Sequence, residues 1–160
     1  MRLDRTDFAI LDALQNDGRL SNKELAARIG LAPSSCFERV RRLREGGIIT
    51  GTHATVTPAA LGIGLQAMVA VRLSSQSRAI IDRISAELQA RRELVATYHM
   101  AGADDFLFHV AVRDAQHLNQ VVIDSISSRP EVRHVETSLI FEVARNPVLP
   151  CYTDEATKTA

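Results

Sequence analysis

Apolar positions follow two different rhythms along the chain. Over the first 50 residues they recur every three or four positions, which predicts short amphipathic helices. From residue 66 onwards they alternate with other residues in several stretches, which predicts strands. The change of period predicts a helical domain at 1–50 and a mixed domain at 65–144. A wing or linker at 51–64 joins them, and a tail at 145–160 follows, which we expect to be extended with its last residues disordered.

The helical domain is predicted to contain three helices. The first ends at an Asn-Asp-Gly turn at 16–18, and the second runs from a capping box at 21–24 to Gly30. The third helix is predicted over 33–45. Two short helices joined around Gly30 are typical of a helix-turn-helix motif. The β-branched stretch at 48–56 predicts an extended wing or linker strand.

The third helix combines an apolar face with four arginines. Phe37, Val40 and Leu43 are predicted to face the core. Since Arg42 lies on the opposite face, we expect it to make no contact with the core. In a helix-turn-helix the second helix enters the major groove of DNA, where arginine can pair with guanine or phosphate. The candidate DNA-binding residues are Ser21, Asn22, Ser34, Ser35, Glu38, Arg39, Arg41 and Arg42.

A structural interpretation of these arginines competes with DNA binding. They could form a solvated helix face with ion pairs between Glu38 and Arg42 and between Arg41 and Glu45. The capped helix that precedes them and the glycine-bounded turn favour DNA. Residues 1–50 also contain 9 basic and 7 acidic residues, so this half of a neutral chain is slightly basic.

The apolar pattern of the second half of the sequence predicts the element order βαββαβ. Strands are expected at 66–73, 95–101, 106–112 and 135–143, with helices at 80–88 and 118–126. This α+β order is that of a ferredoxin-like sandwich, in which both helices cover one face of the sheet. The open face would expose several apolar residues, so we expect a second subunit to cover it. These residues are Met68, Ala70, Leu107, Ala111 and Ile140.

A glycine turn between the second and third strands carries two adjacent carboxylates, Asp104 and Asp105. Carboxylates at such a turn could bind the ammonium group of a small ligand. Asp and Gly are also common in turns that bind nothing, so the residues alone leave both interpretations open.

Composition excludes several classes of protein. The 160 residues include 19 Lys+Arg and 19 Asp+Glu, which excludes a polybasic nucleic-acid binder. We expect no secretory signal and no membrane span, and therefore a cytoplasmic protein. The five histidines and two cysteines match no metal-binding spacing, and no catalytic or cofactor-binding motif is found. We predict no metal, no cofactor and no catalysis.

Several segments together resemble the Lrp/AsnC family of feast/famine transcriptional regulators. The resemblance covers the chain from about residue 3 to 144. Its most specific segments are LDRTD at 3–7, NDGR at 16–19, ELA at 24–26, CFERVRRL at 36–43, GII at 47–49 and GADDF at 102–106.

The resemblance implies more than the spacing of residues does. Family members dimerise through the C-terminal (RAM) domain and often assemble further, so we expect a homodimer that forms tetramers or octamers. Many members bind a free amino acid at the segment that matches 102–105. The effector-binding residues implied by the resemblance are Met100, Gly102, Ala103, Asp104, Asp105, Ile126, Thr137 and Leu139.

The leading hypothesis is a sequence-specific regulator that binds double-stranded DNA and responds to an amino acid. One alternative is an architectural DNA-binding protein without a ligand. Another is an enzyme, since sirohaem decarboxylases resemble the same family. Such an enzyme would be expected to lack the exposed arginine face that this chain retains.

Overall fold

The computed structural model describes residues 2–153, which form two compact units. The N-terminal unit contains residues up to 55 together with 144–153, and the other unit contains 56–143. The expectation for the end of the tail lies outside the described residues. No helix in the described part of the chain is long and apolar enough to cross a bilayer.

Three helices form the N-terminal unit: α1 (Arg5–Asn16), α2 (Asn22–Ile29) and α3 (Pro33–Glu45). Their boundaries agree with the predicted helices. The apolar stripe of each helix meets the other two in one small core, as the helical period requires. The fully buried members of this core are Ile10, Ala13, Leu25, Ala26, Cys36 and Leu43.

The turn between α2 and α3 is determined by local backbone chemistry. Ser21 Oγ accepts a hydrogen bond from Glu24 N at 3.3 Å, and the Glu24 carboxylate accepts one from Ser21 N at 2.8 Å. Hydrogen bonding of the Glu24 carboxylate to the side chain and backbone N–H of Ser21 lowers the pKa of Glu24. Gly30 ends α2 in the left-handed conformation at φ +71°, and Pro33 begins α3, where its missing N–H breaks no helical bond.

Two expectations for this unit are wrong. Phe37 is 56% exposed and lies on the flank of α3, where it borders a groove of about 300 Å³ with Leu14, Leu20 and Leu25. Within the described part of the chain, residues 48–56 form no strand. The β-branched residues there have no neighbouring strand to pair with, and propensity alone does not form a ladder.

The second unit has the predicted order βαββαβ. The strands are β1 (Leu65–Leu73), β2 (Leu94–His99), β3 (Phe106–Val112) and β4 (Val132–Ile140). Helix α4 (Arg78–Gln89) follows β1, and α5 (Ala115–Val122) follows β3 and continues as a π-helical turn at Ile123–Ser127.

The four strands form one antiparallel sheet in the order β2-β3-β1-β4, as in a ferredoxin-like fold. Alternate residues of β1 are buried under the helices: Ala67, Val69, Val71 and Leu73. Between them, Met68 and Ala70 lie on the open face, where Ala70 pairs with Leu107 of β3. All five apolar residues predicted for this face are half-buried in the single chain.

The last strand is shifted from its prediction. It ends at Ile140, so Phe141 lies beyond the sheet and is almost completely exposed. Alternation of apolar residues continues past the end of the strand, but β1 offers partners only from Gln66 to Leu73. Strand pairing, and not the pattern, therefore determines where β4 ends.

Replacing Gly30 with Ala tests the turn of the motif. A Cβ at Gly30 would meet no atom within 4 Å, so the cost comes only from the left-handed backbone. We expect G30A to lower the free energy of unfolding by about 1 kcal/mol, measured by chemical denaturation followed by circular dichroism. Gly46 has φ −78°, so G46A is the matched control and should change little. Equal effects of the two substitutions would contradict this role of Gly30.

Candidate nucleic-acid interface and ligand loop

The start of α1 and the exposed helix α3 are joined by a buried carboxylate. Asp7 is completely buried and accepts hydrogen bonds from Arg39 at 2.8 Å and from Arg42 at 2.8 and 3.0 Å. It also accepts one from Asp4 N at 3.1 Å, as part of the α1 capping box. Two guanidinium groups and a backbone N–H thus compensate for removing this charge from water.

Asp4 extends the cluster towards solvent. Its carboxylate accepts hydrogen bonds from Arg39 at 2.7 and 2.9 Å, and this contact holds the pKa of Asp4 below its ordinary value. The contact therefore stabilises the folded unit above the ordinary pKa of Asp4 and is lost as the pH falls through its lowered value. We call Asp4, Asp7, Arg39 and Arg42 the Asp7 cluster.

The cluster corrects two expectations about α3. Arg42 does not stand free of the helical core, since it binds the buried Asp7. It also does not pair with Glu38, which binds Arg41 at 2.8 Å. Spacing along one helix predicted a partner four residues away, but the carboxylate brought by α1 wins because burial strengthens that ion pair.

Arg41 lies on the solvent face of α3 between two glutamates. It binds Glu38 at 2.8 Å and the predicted partner Glu45 at 2.9 Å, and both contacts raise its pKa. All three side chains are more than half exposed, so these pairs contribute little to stability. Ser34 and Ser35 are exposed in the first turn of the same helix. This face can exchange its internal contacts for DNA at small cost.

The two candidates at the start of α2 have local structural contacts. Ser21 caps the helix, and Asn22 Nδ2 donates to Pro33 O at 2.8 Å, across the turn to α3. Their side chains thus hold the motif together. The capping box also uses the backbone N–H groups of Ser21 and Glu24, so only those between them remain for a phosphate.

The predicted ligand loop, residues 100–105, is attached to the end of β1. Asp105 is buried, and its carboxylate accepts hydrogen bonds from Leu73 N at 2.7 Å and Gln76 Nε2 at 2.6 Å. Asp105 N donates to Val71 O, and Met100 N donates to Asp105 O. Asp105 therefore shapes the loop and does not present its carboxylate to solvent.

The other effector candidates fall into three environments. Met100, Gly102 and Ala103 are exposed on the loop, and Asp104 is partly exposed beside them. Thr137 and Leu139 are exposed on β4. Ile126 is only 2% exposed and belongs to the core of the unit, which corrects its assignment to a ligand-accessible surface. Its apolar side chain follows the helical stripe of α5 into that core.

Sequence reasoning missed two features of these sites. Asp7 entered only as part of the LDRTD segment at 3–7, and nothing in that polar segment indicates that this carboxylate is buried. Sequence reasoning also did not consider Arg72, whose guanidinium contacts the ligand loop. An arginine within an apolar strand was the signal there.

Together, the motif and the sheet unit define a class: DNA-binding regulatory proteins with a separate ligand-binding unit. A family model described as winged helix-turn-helix DNA-binding matches residues 3–50, and one described as Lrp/AsnC ligand binding domain matches 66–147. The chain belongs to the Lrp/AsnC family of transcriptional regulators.

The chain is similar to named transcriptional regulators over most of its length. The HTH-type transcriptional regulator AldR of Mycolicibacterium smegmatis is 44% identical over 89% of this chain and 84% of the relative. The leucine-responsive regulatory protein of Escherichia coli is 33% identical over 88% of this chain and 85% of the relative. A Neisseria meningitidis transcriptional regulator solved in complex with L-methionine has a TM-score of 0.83 at 29% identity, over 93% of this chain and 97% of that one.

Replacing Asp7 with Asn tests the cluster. The change removes the charge that two arginines share while keeping the shape of the side chain. We expect D7N to lower the free energy of unfolding by on the order of 3 kcal/mol, because it breaks a buried ion pair. Chemical denaturation measures the loss. Asp12 is exposed on the same helix, so D12N is the control. A D7N protein as stable as D12N would contradict the role of Asp7.

Proposed function

We propose that this cytoplasmic regulator binds double-stranded DNA through the solvent face of α3 and that an amino acid changes this binding. The observation that carries the DNA part is the face formed by Ser34, Ser35, Glu38 and Arg41. Its hydroxyls are exposed, and its only cation is held by exposed glutamates that water or DNA can replace. Arginine forms bidentate contacts with guanine, and glutamate accepts from cytosine.

Arg39 and Arg42 have a different part in this proposal. Both are anchored by Asp7, so they approach DNA as a fixed edge of α3 and not as free side chains. Arg42 is half exposed and can still reach a phosphate with the N–H groups that Asp7 leaves unused. At the start of α2, the N–H of Ser21 already donates to Glu24, so the backbone N–H of Asn22 is the group of this pair that is available for a second phosphate.

Fluorescence anisotropy tests the function as a whole. The probe is a labelled duplex from the DNA upstream of the protein's own coding sequence, compared with a scrambled duplex at about 50 and 200 mM salt. We expect tighter binding to the upstream duplex, weaker binding at high salt, and a shift when all proteinogenic amino acids are added. Binding unmoved by amino acids would favour the architectural protein. No binding to either duplex would contradict the DNA-binding proposal and favour the enzyme.

Replacing Arg41 with Gln tests the proposed face without disturbing the Asp7 cluster. We expect R41Q to weaken binding and to reduce the slope of log affinity against log salt by about 1, the value for one lost phosphate contact. If Arg41 reads a base, the preference for the upstream duplex falls instead. R78Q, in the other unit, removes an exposed arginine and should bind as the wild type. Identical affinity, salt slope and duplex preference in R41Q and R78Q would contradict the proposal.

The proposed effector site is the loop at 100–105, with Thr137 and Leu139 as further candidates. Asp104 supports it, because this carboxylate is only partly buried and belongs to a loop in which Met100, Gly102 and Ala103 are exposed. An ammonium group is the natural partner of such a carboxylate. The relative solved with L-methionine supports an amino acid as the ligand class.

The open face of the sheet supports a homodimer, and further assembly into tetramers or octamers. Its apolar residues are half-buried in the single chain, and a second sheet would exclude the remaining water. We expect wild-type protein to elute as a dimer or larger in size-exclusion chromatography with light scattering. L107E places a charge on this face and should shift the protein towards monomer. A86E, on an exposed position of α4, is the control. Unchanged mass in L107E would contradict this interface.

A further inference from the structure

Arg72 is an arginine within β1 whose side chain reaches the ligand loop. Its Nε donates to Ala103 O at 2.6 Å, and its Nη2 donates to Asp104 Oδ1 at 3.3 Å. Its side chain is 44% exposed and that of Asp104 is 25% exposed. The loop thus carries a cation beside its carboxylate, and both remain accessible to solvent.

The geometry leaves the binding edge of this guanidinium open. Nε and one N–H of Nη2 form the edge that faces Ala103 and Asp104. The remaining N–H groups lie on Nη1 and on the other side of Nη2, and nothing among residues 2–153 accepts a hydrogen bond from them. Two parallel N–H groups are the arrangement that binds a carboxylate in bidentate form. The bond to a backbone carbonyl fixes the direction of this edge.

The carboxylate of Asp104 can also accept further hydrogen bonds. Its only ion pair is the long contact from Arg72 to Oδ1, and no contact within the described chain involves Oδ2. A carboxylate has about four lone-pair sites, so an ammonium group can join without displacing Arg72. The adjacent Asp105 differs, since both of its oxygens already accept bonds from β1 and Gln76.

We propose that Arg72 and Asp104 together recognise the zwitterionic end of the effector, with Arg72 binding its α-carboxylate and Asp104 its ammonium. This inference rests on the proposed amino-acid response and adds the residue that distinguishes an amino acid from an amine. Arg72 and Asp104 neutralise each other in the free protein. A ligand with both charges on one carbon is the chemical class that satisfies each of them without leaving a net charge.

Calorimetric titration of the full chain tests the proposal by comparing three related ligands. Each proteinogenic L-amino acid is first titrated into the wild type. The amino acid that binds most tightly is then compared with its decarboxylated amine and with its deaminated acid. We expect wild type to prefer the amino acid to either analogue by at least about tenfold, the scale of one lost charge-assisted contact.

The variants separate recognition from support of the loop. R72Q should bind the amino acid and the amine with nearly equal affinity, because the charged contact with the α-carboxylate of the amino acid is lost. D104N should bind the amino acid and the deaminated acid nearly equally. Loosening of the loop alone would weaken all three ligands together and leave the wild-type ratios unchanged, which would overturn the proposal. R78Q is the control arginine and should keep every ratio.

Two further results would also overturn it. If R72Q binds the amine and the amino acid more tightly than the wild type does, Arg72 competes with the ammonium group of the ligand for Asp104 and does not bind its carboxylate. Wild type that binds an amino acid with no preference over its amine would leave the proposed response intact and remove the role of Arg72. If no amino acid binds the wild type, the proposed effector response itself fails, and this inference fails with it.

Discussion

The buried carboxylate of Asp7 is the constraint on which the DNA-binding unit depends. Three short helices share one small apolar core, and the buried residues Cys36 and Leu43 turn one side of α3 towards it. Asp7 fixes the rotation of α3 further, since it accepts hydrogen bonds from two arginines of this helix. A rotation of α3 that separates Asp7 from these arginines would leave a buried charge unpaired, which is strongly destabilising. The solvent face of α3 is therefore fixed before DNA is present.

The ligand loop uses the same device on a smaller scale. Asp105 is buried and accepts hydrogen bonds from the end of β1 and from Gln76, which places its neighbour Asp104 at the surface. In each unit a buried aspartate is fully paired, while polar residues of the same surface, such as Arg41 and Asp104, stay partly or largely exposed. This division explains why adjacent or similarly spaced residues have different roles. A side chain that fixes the position of a helix or loop has to be buried and fully paired. A side chain that binds a ligand needs polar groups that can still exchange partners.

Much of this architecture could be predicted from the sequence, because helical period, capping residues and strand alternation are local signals. The helices of the motif and the strand order of the second unit follow from them. The pairing of Asp7 could not be predicted, since its partners lie 32 and 35 residues away and α3 offered nearer glutamates. Phe37 was misplaced because apolar character does not itself require burial. The surroundings of Arg72 depend on the path of a loop that pattern does not encode.

Regulation requires that a ligand bound in one unit favour one state of DNA binding in the other. A ligand can change DNA binding only if it binds one state of the protein more tightly than another, whatever structural path connects the two sites. How the residues are divided between the two units shows where such a connection can run. Residues 144–153 belong with the N-terminal unit, where Leu149 N donates to Gln15 at 2.8 Å. The chain therefore passes between the units twice, after Thr55 and after Val143. Two covalent connections therefore join the units, and a difference between ligand states can be passed along either the linker after Thr55 or the segment after Val143.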